Sequence, residues 1–213
     1  MCDYMCMKRV CRIAFGWFVA IAALFVVSCS NETDTTLNTQ QKSIQNYLTG
    51  SHQPKLVAEE DLAHSLDEEP QFYTHWGLDI FRYISTYYDD DRSSKPQAEA
   101  GDKVEIMYSA YIFTNGKPSI SNLFATNVQA SIDQLTAMGL NTSYEWTTNP
   151  FAFTLGGGEI LGGLETALEG CREGDKVEVY LTFEAAYGKN HVGMVPSKSA
   201  QMWDIEIVSV TKK

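Results

Sequence analysis

Five glycines lie within the eleven residues LGGGEILGGLE, from Leu155 to Glu165. A glycine-rich stretch of this kind can cradle a phosphate group, because glycine lets the backbone approach a ligand closely. The spacing argues against that chemistry here. A P-loop requires lysine where Gly163 stands, and the dinucleotide fingerprint requires glycine where Leu161 stands. The glycines therefore indicate a turn or close packing rather than a nucleotide site.

Other residue types that carry chemistry also lack the necessary spacing. The four histidines, at positions 52, 64, 75 and 191, show no ligand pattern, so no metal site and no cofactor are predicted. Cys171 has no partner cysteine in the predicted mature chain, and we interpret it as a small buried hydrophobe rather than a reactive thiol. The acidic run Asp89–Asp91 lacks the spacing and glycine of a calcium loop and is interpreted as a solvated turn.

Residues 1–28 predict a lipoprotein signal peptide. Three basic residues precede the apolar run Ile13–Val27, which has the length of a signal-peptide core. The run ends in VVSC, which resembles a bacterial lipobox with Cys29 as the lipidated residue. A retained membrane anchor is the alternative, although the run is short for a full membrane span. We therefore expect a lipid-anchored protein of the bacterial cell envelope, at the outer membrane, on its periplasmic face or its surface.

The charge of the chain restricts its partners. The net charge is −11, and the predicted leader holds three basic residues and one acidic residue, which leaves −13 on the remainder. This acidity argues against nucleic-acid partners and against electrostatic binding to anionic lipid. Attachment to the membrane is expected through the lipid on Cys29.

Two regions precede the main domain. Residues 29–40 are polar and predict a tether. Apolar side chains show helical spacing from Gln41 to about Leu66, interrupted around Pro54, and predict two short helices within an N-terminal helical extension at residues 41–75.

Residues 76–213 have the pattern of an α+β domain. Alternating apolar residues predict strands in LDIFRYISTYY, KVEIMYSAYIF, PFAFTLG, KVEVYLTF and AQMWDIEIVSV, and GGLETALEG predicts a short helix. The predicted fold is a curved antiparallel sheet wrapped on that helix. Before the PF strand, NVQASIDQLTAMGL predicts another helix, with Asn127 as its cap, Gly139 as its end and one apolar stripe. The stripe consists of Val128, Ile132, Leu135 and Met138.

The order of these motifs resembles the FKBP-type peptidyl-prolyl cis-trans isomerase domain, from about Trp76 to Lys213. The resemblance rests on PFAFTLGGGEILGGLE followed in register by GDK and AAYG, and on the closing strand QMWDIEIVSV. It implies the FKBP fold and isomerisation of X–Pro bonds. Residues around 128–149 are then an insertion, which is either a lid or partner surface or a helix packed on the sheet edge.

The resemblance also implies the site. Six residues are predicted to carry catalysis as the wall, rim and backbone donor of a proline pocket, namely Tyr108, Phe151, Ile160, Leu161, Tyr187 and Trp203. Phe124, Leu164 and His191 are predicted as further substrate contacts. Gly156 and Gly158 would permit the turn, while Gly162 and Gly163 would let the helix lie close to the sheet and leave room for a prolyl ring. The implied partners are proline-containing polypeptides and macrolide ligands.

Two positions depart from the family pattern. Leu164 stands where the family usually has a tryptophan floor. The family's Phe-Asp pair is best matched by Phe124-Ala125, and the alternative match at Ile120-Ser121 also lacks the aspartate. Two functions therefore remain open at this stage. One is an isomerase that assists the folding of envelope proteins, and the other is an FKBP-like chaperone or binding module with little or no catalysis.

Overall fold

One eight-stranded sheet organises the computed structural model, which describes residues 35–140 and 144–213. Its hydrogen-bonded order is β1-β2-β3-β7-β8-β4-β5, and β6 pairs with another part of β4. The strands are β1 (Val57–Ala58), β2 (Phe72–Trp76), β3 (Ile80–Ile84), β4 (Lys103–Ile112), β5 (Leu123–Thr126), β6 (Phe151–Thr154), β7 (Lys176–Leu181) and β8 (Gln201–Thr211).

Strand β4 is the centre of the sheet. It pairs with β8 along its full length, with β6 through its first half and with β5 through its second half. These pairings set Phe151 opposite Ile106 and Ala125 opposite Ala110. The pairs along the sheet are antiparallel except β1 with β2, which is parallel. The predicted α+β fold on an antiparallel sheet is confirmed.

The helices are short. Residues 35–46 are α-helical (α1) and continue into a π-helical turn at Tyr47–Ser51. Helix α2 spans Gln129–Ala137 and α3 spans Gly162–Leu168. Three 3-10 turns lie at Glu59–His64, Arg92–Ser94 and Ile120–Asn122.

Helix α3 packs on one face of the sheet. Because side chains alternate along a strand, Val177, Val179 and Leu181 of β7 all point to this face and are fully buried. From α3, Leu164 and Leu168 enter the same core. Cys171 follows the helix and is also fully buried, which confirms its interpretation as a small core residue, and this burial raises the pKa of its thiol to about 11.

The opposite face of the sheet is covered by the N-terminal segment. Ile44 and Leu48 are fully buried in a second core with Phe81 of β3 and Tyr180 of β7. Burying an aliphatic side chain of this size contributes about 1.5–3 kcal/mol. The segment therefore forms a layer of the fold.

The structure corrects the description of the N-terminal regions in two ways. The stretch predicted as a helical extension also contains β1 and β2, because aromatic and β-branched residues at 72–76 pair with β3. Residues 35–40, predicted as part of a tether, are helical. The division of the chain into leader, tether, extension and domain stays a prediction.

Helix α2 also differs from its predicted form. Ile132 and Leu135 are buried, but Met138 is 54% exposed because the helix has ended at Ala137. Asn127 makes no capping bond. Its side chain instead accepts from the Tyr108 N–H at 2.6 Å and donates to the carbonyl oxygens of Ile106 and Asn149, each at 3.0 Å. Asn127 thus ties the two ends of the inserted segment to β4.

The predicted leader and its lipidation site lie outside the described residues. Within the ranges that are described, no helix is both long and apolar enough to cross a membrane.

A buried histidine joins the N-terminal segment to the sheet. The Nε2 atom of His52 lies 2.9 Å from the Glu178 carboxylate, and its Nδ1 atom is hydrogen-bonded to the Pro54 carbonyl. Both ring nitrogens face acceptors, so the doubly protonated imidazolium satisfies the site best. Burial lowers the pKa of His52, but the hydrogen bonds to Glu178 and Pro54 outweigh it and the net pKa is raised.

This raised pKa predicts the direction of a pH effect on stability. A group with a raised folded-state pKa contributes its full stabilisation below the unfolded-state pKa, about 6.5 for histidine, and loses it as pH rises through the folded value. We expect the free energy of unfolding to fall as pH rises above about 6.5, and His52→Gln to remove most of that fall. Urea unfolding across this pH window measures both.

The matched control for this prediction is His75→Gln. The hydrogen bond to Glu60 raises the pKa of His75 as well, but the Glu60 side chain is 61% exposed, so solvent screens the pair. The change in pH dependence should therefore be smaller than in His52→Gln. An equal pH dependence of the free energy of unfolding in wild type and His52→Gln would show that His52 is not the group responsible.

Candidate functional site

A cavity of about 310 Å³ opens between α3 and the strands beside it. All six residues predicted to carry catalysis line it, together with the predicted contact Leu164. The full lining is Ile106, Tyr108, Phe151, Glu159, Ile160, Leu161, Leu164, Tyr187 and Trp203. Residues separated by up to 97 positions in the chain therefore meet in one mostly apolar site.

Aromatic contacts hold the wall of this cavity. The ring of Tyr108 lies 5.4 Å from that of Trp203 and 6.3 Å from that of Phe151, measured between centroids. Such tilted and edge contacts are the preferred geometries of aromatic pairs. The indole N–H of Trp203 donates to the Gln201 side chain at 3.0 Å, and both residues are buried. The indole is thereby held in one orientation.

The glycine-rich stretch forms the rim. Gly156 and Gly158 have positive φ angles of 77° and 74°, which side chains rarely adopt, so these two glycines permit the turn as predicted. The Gly158 N–H donates to the Glu165 carboxylate at 2.8 Å, and the Thr154 N–H donates to the Glu159 carboxylate at 3.0 Å. The turn is therefore held by two carboxylates of its own sequence.

The next two glycines have different roles. A Cβ atom at Gly163 would lie 2.4 Å from the Ala185 carbonyl oxygen and 2.9 Å from a methyl group of Leu181. Glycine is therefore needed at 163 for the close approach of α3 to the sheet and the following loop. A Cβ atom at Gly162 would meet nothing within 4 Å. The prediction that both glycines allow close packing is wrong for Gly162.

Three hydrogen-bond donors on residues that line the cavity have no partner. Within the described part of the chain, the hydroxyls of Tyr108 and Tyr187 and the backbone N–H of Leu161 donate no hydrogen bond. Burial raises the pKa of both tyrosines, so both hydroxyls are protonated donors at neutral pH. The site therefore offers donors to carbonyl oxygens inside apolar walls.

One departure from the family pattern lies in this cavity and the other lies beside it. Leu164 is 2% exposed and belongs at once to the cavity lining and to the core. Ala125 lies on β5, partly buried against the same core, and supplies no carboxylate. The cavity therefore has an aliphatic floor, and among the described residues Glu159 is the only acidic one in its lining.

The remaining predicted contacts lie at different distances from the cavity. The ring of Phe124 lies 5.8 Å from that of Trp203 and 6.5 Å from that of Tyr187, and Phe124 lines a neighbouring cleft rather than this cavity. His191 is exposed in the loop after Tyr187 and bonds to the Gly193 carbonyl at 2.9 Å. The structure does not bring His191 into the lining.

The inserted segment adds a second cleft of about 170 Å³ beside the cavity. The two share Tyr108 and Phe151, and the second is also lined by Tyr144 and Trp146, whose rings are 4.5 Å apart. Sequence reasoning did not identify these two aromatic residues or Ile106. Ile106 was recoverable, because it lies two residues before Tyr108 and so on the same face of β4.

A family comparison accounts for this arrangement. Residues 94–208 match the model of the FKBP-type peptidyl-prolyl cis-trans isomerase family, which is more than half of the chain. The chain belongs to this family. The FKBP domain identified in this way contains the cavity, the glycine-rich rim and the inserted segment.

Three named relatives support the assignment. The chain is 26% identical over 157 residues to "FK506-binding protein 5" of Dictyostelium discoideum. The matched region covers 70% of this chain but only 8% of that protein. It is 25% identical over 119 residues to "FK506-binding protein 2" of Candida glabrata, covering 55% of this chain and 71% of that protein. It is 31% identical over 62 residues to "Peptidyl-prolyl cis-trans isomerase Fkbp12" of Drosophila melanogaster, covering 29% of this chain and 57% of the relative.

Proposed function

We propose that this FKBP domain is a peptidyl-prolyl cis-trans isomerase that acts on proline residues of unfolded or maturing envelope proteins. The observation that carries the proposal is the aromatic cavity with unpaired donors at its wall and rim. Its volume of about 310 Å³ and its apolar lining, which includes Phe151 and Trp203, suit a prolyl ring.

The chemistry asked of such a site is modest. Rotation about an X–Pro bond faces a barrier of about 18–20 kcal/mol, which amide resonance creates. Apolar walls disfavour the charge-separated planar amide, and a donor that binds the twisted form more tightly lowers the barrier. In this site Tyr187 and the Leu161 N–H would bind substrate carbonyls while the aromatic wall encloses the ring.

A catalytically weak chaperone or binding module is the second candidate. Leu164 and Ala125 favour it, because an aromatic floor and a carboxylate acceptor are both missing. One hydrogen bond contributes about 0.5–1.5 kcal/mol net, which corresponds to a rate factor of about 2–13. A missing acceptor should therefore reduce turnover without abolishing it.

An exchange-NMR isomerisation assay on a short X–Pro peptide separates the two candidates. The isomerase proposal expects a rate above the spontaneous reaction, inhibited by FK506, the ligand named in two of the relatives. A rate equal to the spontaneous one, with peptide still shifting the resonances of Tyr187 and Trp203, would favour the binding module. No rate and no binding of either ligand would reject both.

The envelope location rests on the leader and on Cys29. We propose that Cys29 becomes the lipidated N-terminal residue and anchors the domain to the membrane. Metabolic labelling with a fatty acid in a bacterial host should mark the wild-type chain and leave Cys29→Ser unlabelled. Because Cys171 is buried, Cys171→Ser serves as the matched control and should label like wild type. Equal labelling of the wild type and Cys29→Ser would contradict the anchor.

A further inference from the structure

All three arginines beyond the predicted leader line one cavity, away from the proline site. The chain has five arginines, of which Arg9 and Arg12 fall in the leader. The others, Arg82, Arg92 and Arg172, border a cavity of about 230 Å³ that we call the arginine cleft. It shares no lining residue with the proline cavity. The clustering is notable in a chain whose net charge is −11.

Neutral partners hold two of these guanidinium groups in place. The Nη1 atom of Arg82 donates to the carbonyl oxygens of Ala167 and Glu169, each at 2.9 Å, at the end of α3. The Nη1 atom of Arg172 donates to the Lys95 carbonyl at 2.6 Å. Carbonyl groups fix the side chains but do not neutralise them. Among the described residues, no carboxylate lies within 4 Å of either guanidinium group.

One donor of Arg82 is also unsatisfied. The Nε atom of Arg82 is buried and has no hydrogen-bond partner. Burying such a group costs free energy, so unsatisfied donors are rare in folded proteins and require an explanation. Arg92 differs, because Asp175 binds its Nε and Nη2 atoms at 2.7 and 2.8 Å and compensates its charge. Arg82 and Arg172 therefore bring to the cleft two guanidinium groups that no carboxylate neutralises. The carbonyl groups at the end of α3 and the Trp76 ring, 4.9 Å from the Arg82 Cζ atom, stabilise the Arg82 charge only in part.

We propose that the arginine cleft binds a phosphate group. The planar guanidinium fork matches the oxygens of phosphate and carboxylate. Two guanidinium groups without carboxylate partners match a dianion better than a single carboxylate, which favours phosphate or a phosphomonoester. Glu59 is the one acidic residue in the lining and is exposed, so it opposes the anion and moderates its affinity.

Side-chain NMR of the full chain, labelled with ¹⁵N, tests this directly. Titration with inorganic phosphate against chloride at constant ionic strength should shift the Nε–H resonances of Arg82 and Arg172. Arg82→Gln should abolish the saturable response, while Lys117→Gln, which removes one exposed charge elsewhere, should leave it unchanged. Absence of a saturable response in the wild type, or an equal response in Arg82→Gln, would overturn the proposal.

A second variant keeps the test valid if Arg82→Gln fails to fold. Glu59→Gln removes the opposing charge from an exposed position and should tighten phosphate binding by about three- to tenfold, as expected for one charge removed at partly screened range. Unchanged affinity in Glu59→Gln would count against the site.

Glycerol phosphate and vesicles containing phosphatidic acid distinguish the source of the phosphate. A site for a soluble phosphomonoester should bind glycerol phosphate more tightly, and a site for a lipid headgroup should bind the vesicles more tightly. Binding of neither would overturn the proposal.

Discussion

Gly163→Ala is expected to lower the free energy of unfolding by about 2–3 kcal/mol, the upper range for overpacking a core. The added methyl group would lie 2.4 Å from the Ala185 carbonyl oxygen and 2.9 Å from Leu181. The first of these is a backbone atom, so relief requires α3 or the loop at Ala185 to move. Alanine's better helix propensity offsets only about 1 kcal/mol of the cost. Denaturant unfolding measures the change as a shift of the midpoint, with an unchanged dependence of the free energy of unfolding on denaturant concentration.

The adjacent glycine provides the control. The methyl group of Gly162→Ala would meet open space, and the backbone at 162 has no positive φ angle. The variant should leave the free energy of unfolding unchanged or raise it by about 0.4–1 kcal/mol, because alanine lowers the conformational entropy of the unfolded chain. Because Leu164 follows Gly163 directly and lines the cavity, Gly163→Ala should also reduce isomerase activity. Equal stability of the two variants would show that the close approach at Gly163 is not required.

Phe151→Ala is expected to reduce kcat/KM for an X–Pro peptide by about 10- to 30-fold. The ring is 41% exposed in the free protein and would be covered by the substrate, and losing apolar contact of about 1.5–2 kcal/mol in the transition state gives this factor. Folding should be unaffected, because Phe153 keeps β6 anchored in the core. Exchange NMR gives the rate, and the unfolding midpoint verifies the fold.

Two further variants make the result interpretable. Val208→Ala on β8 removes a side chain of similar exposure (38%) outside the cavity lining, and should keep wild-type activity. Tyr187→Phe removes one donor and should reduce the rate by about 2- to 13-fold. Wild-type activity in Phe151→Ala would exclude this wall from catalysis.

The family, the fold class and the main lining of the site could be predicted from the sequence. Alternation of apolar residues defines which face of each strand is buried, so β3, β4, β6, β7 and β8 followed from local pattern, whereas the short strand β5 was not predicted. Glycines at 156 and 158 were predicted to permit a turn, because a positive φ angle is a local property of one residue. Six aromatic and aliphatic positions matched a known motif in order, and the structure brings all six together.

Other features depend on which segments meet in space. Local pattern showed helical spacing from Gln41 to about Leu66, and the extension was predicted as helical up to residue 75. Pairing with β3 makes strand β2 at its end, at Phe72–Trp76. Asn127 has the residue type of a helix cap, and three long-range hydrogen bonds to β4 and Asn149 use its side chain instead. In both cases tertiary contacts outweigh a weak local preference.

The sequence by itself therefore determined the family, the five main strands of the domain and the aromatic set of the cavity, because these are encoded in local spacing and in motifs along the chain. Only the tertiary structure decided that Gly163 and not Gly162 must lack a side chain, since the difference is the distance to Ala185. It alone also brought three arginines from positions 82, 92 and 172 to one cavity. Nothing in their spacing along the chain shows this, because charges separated by up to 90 residues become neighbours only when the strands and loops between them pack.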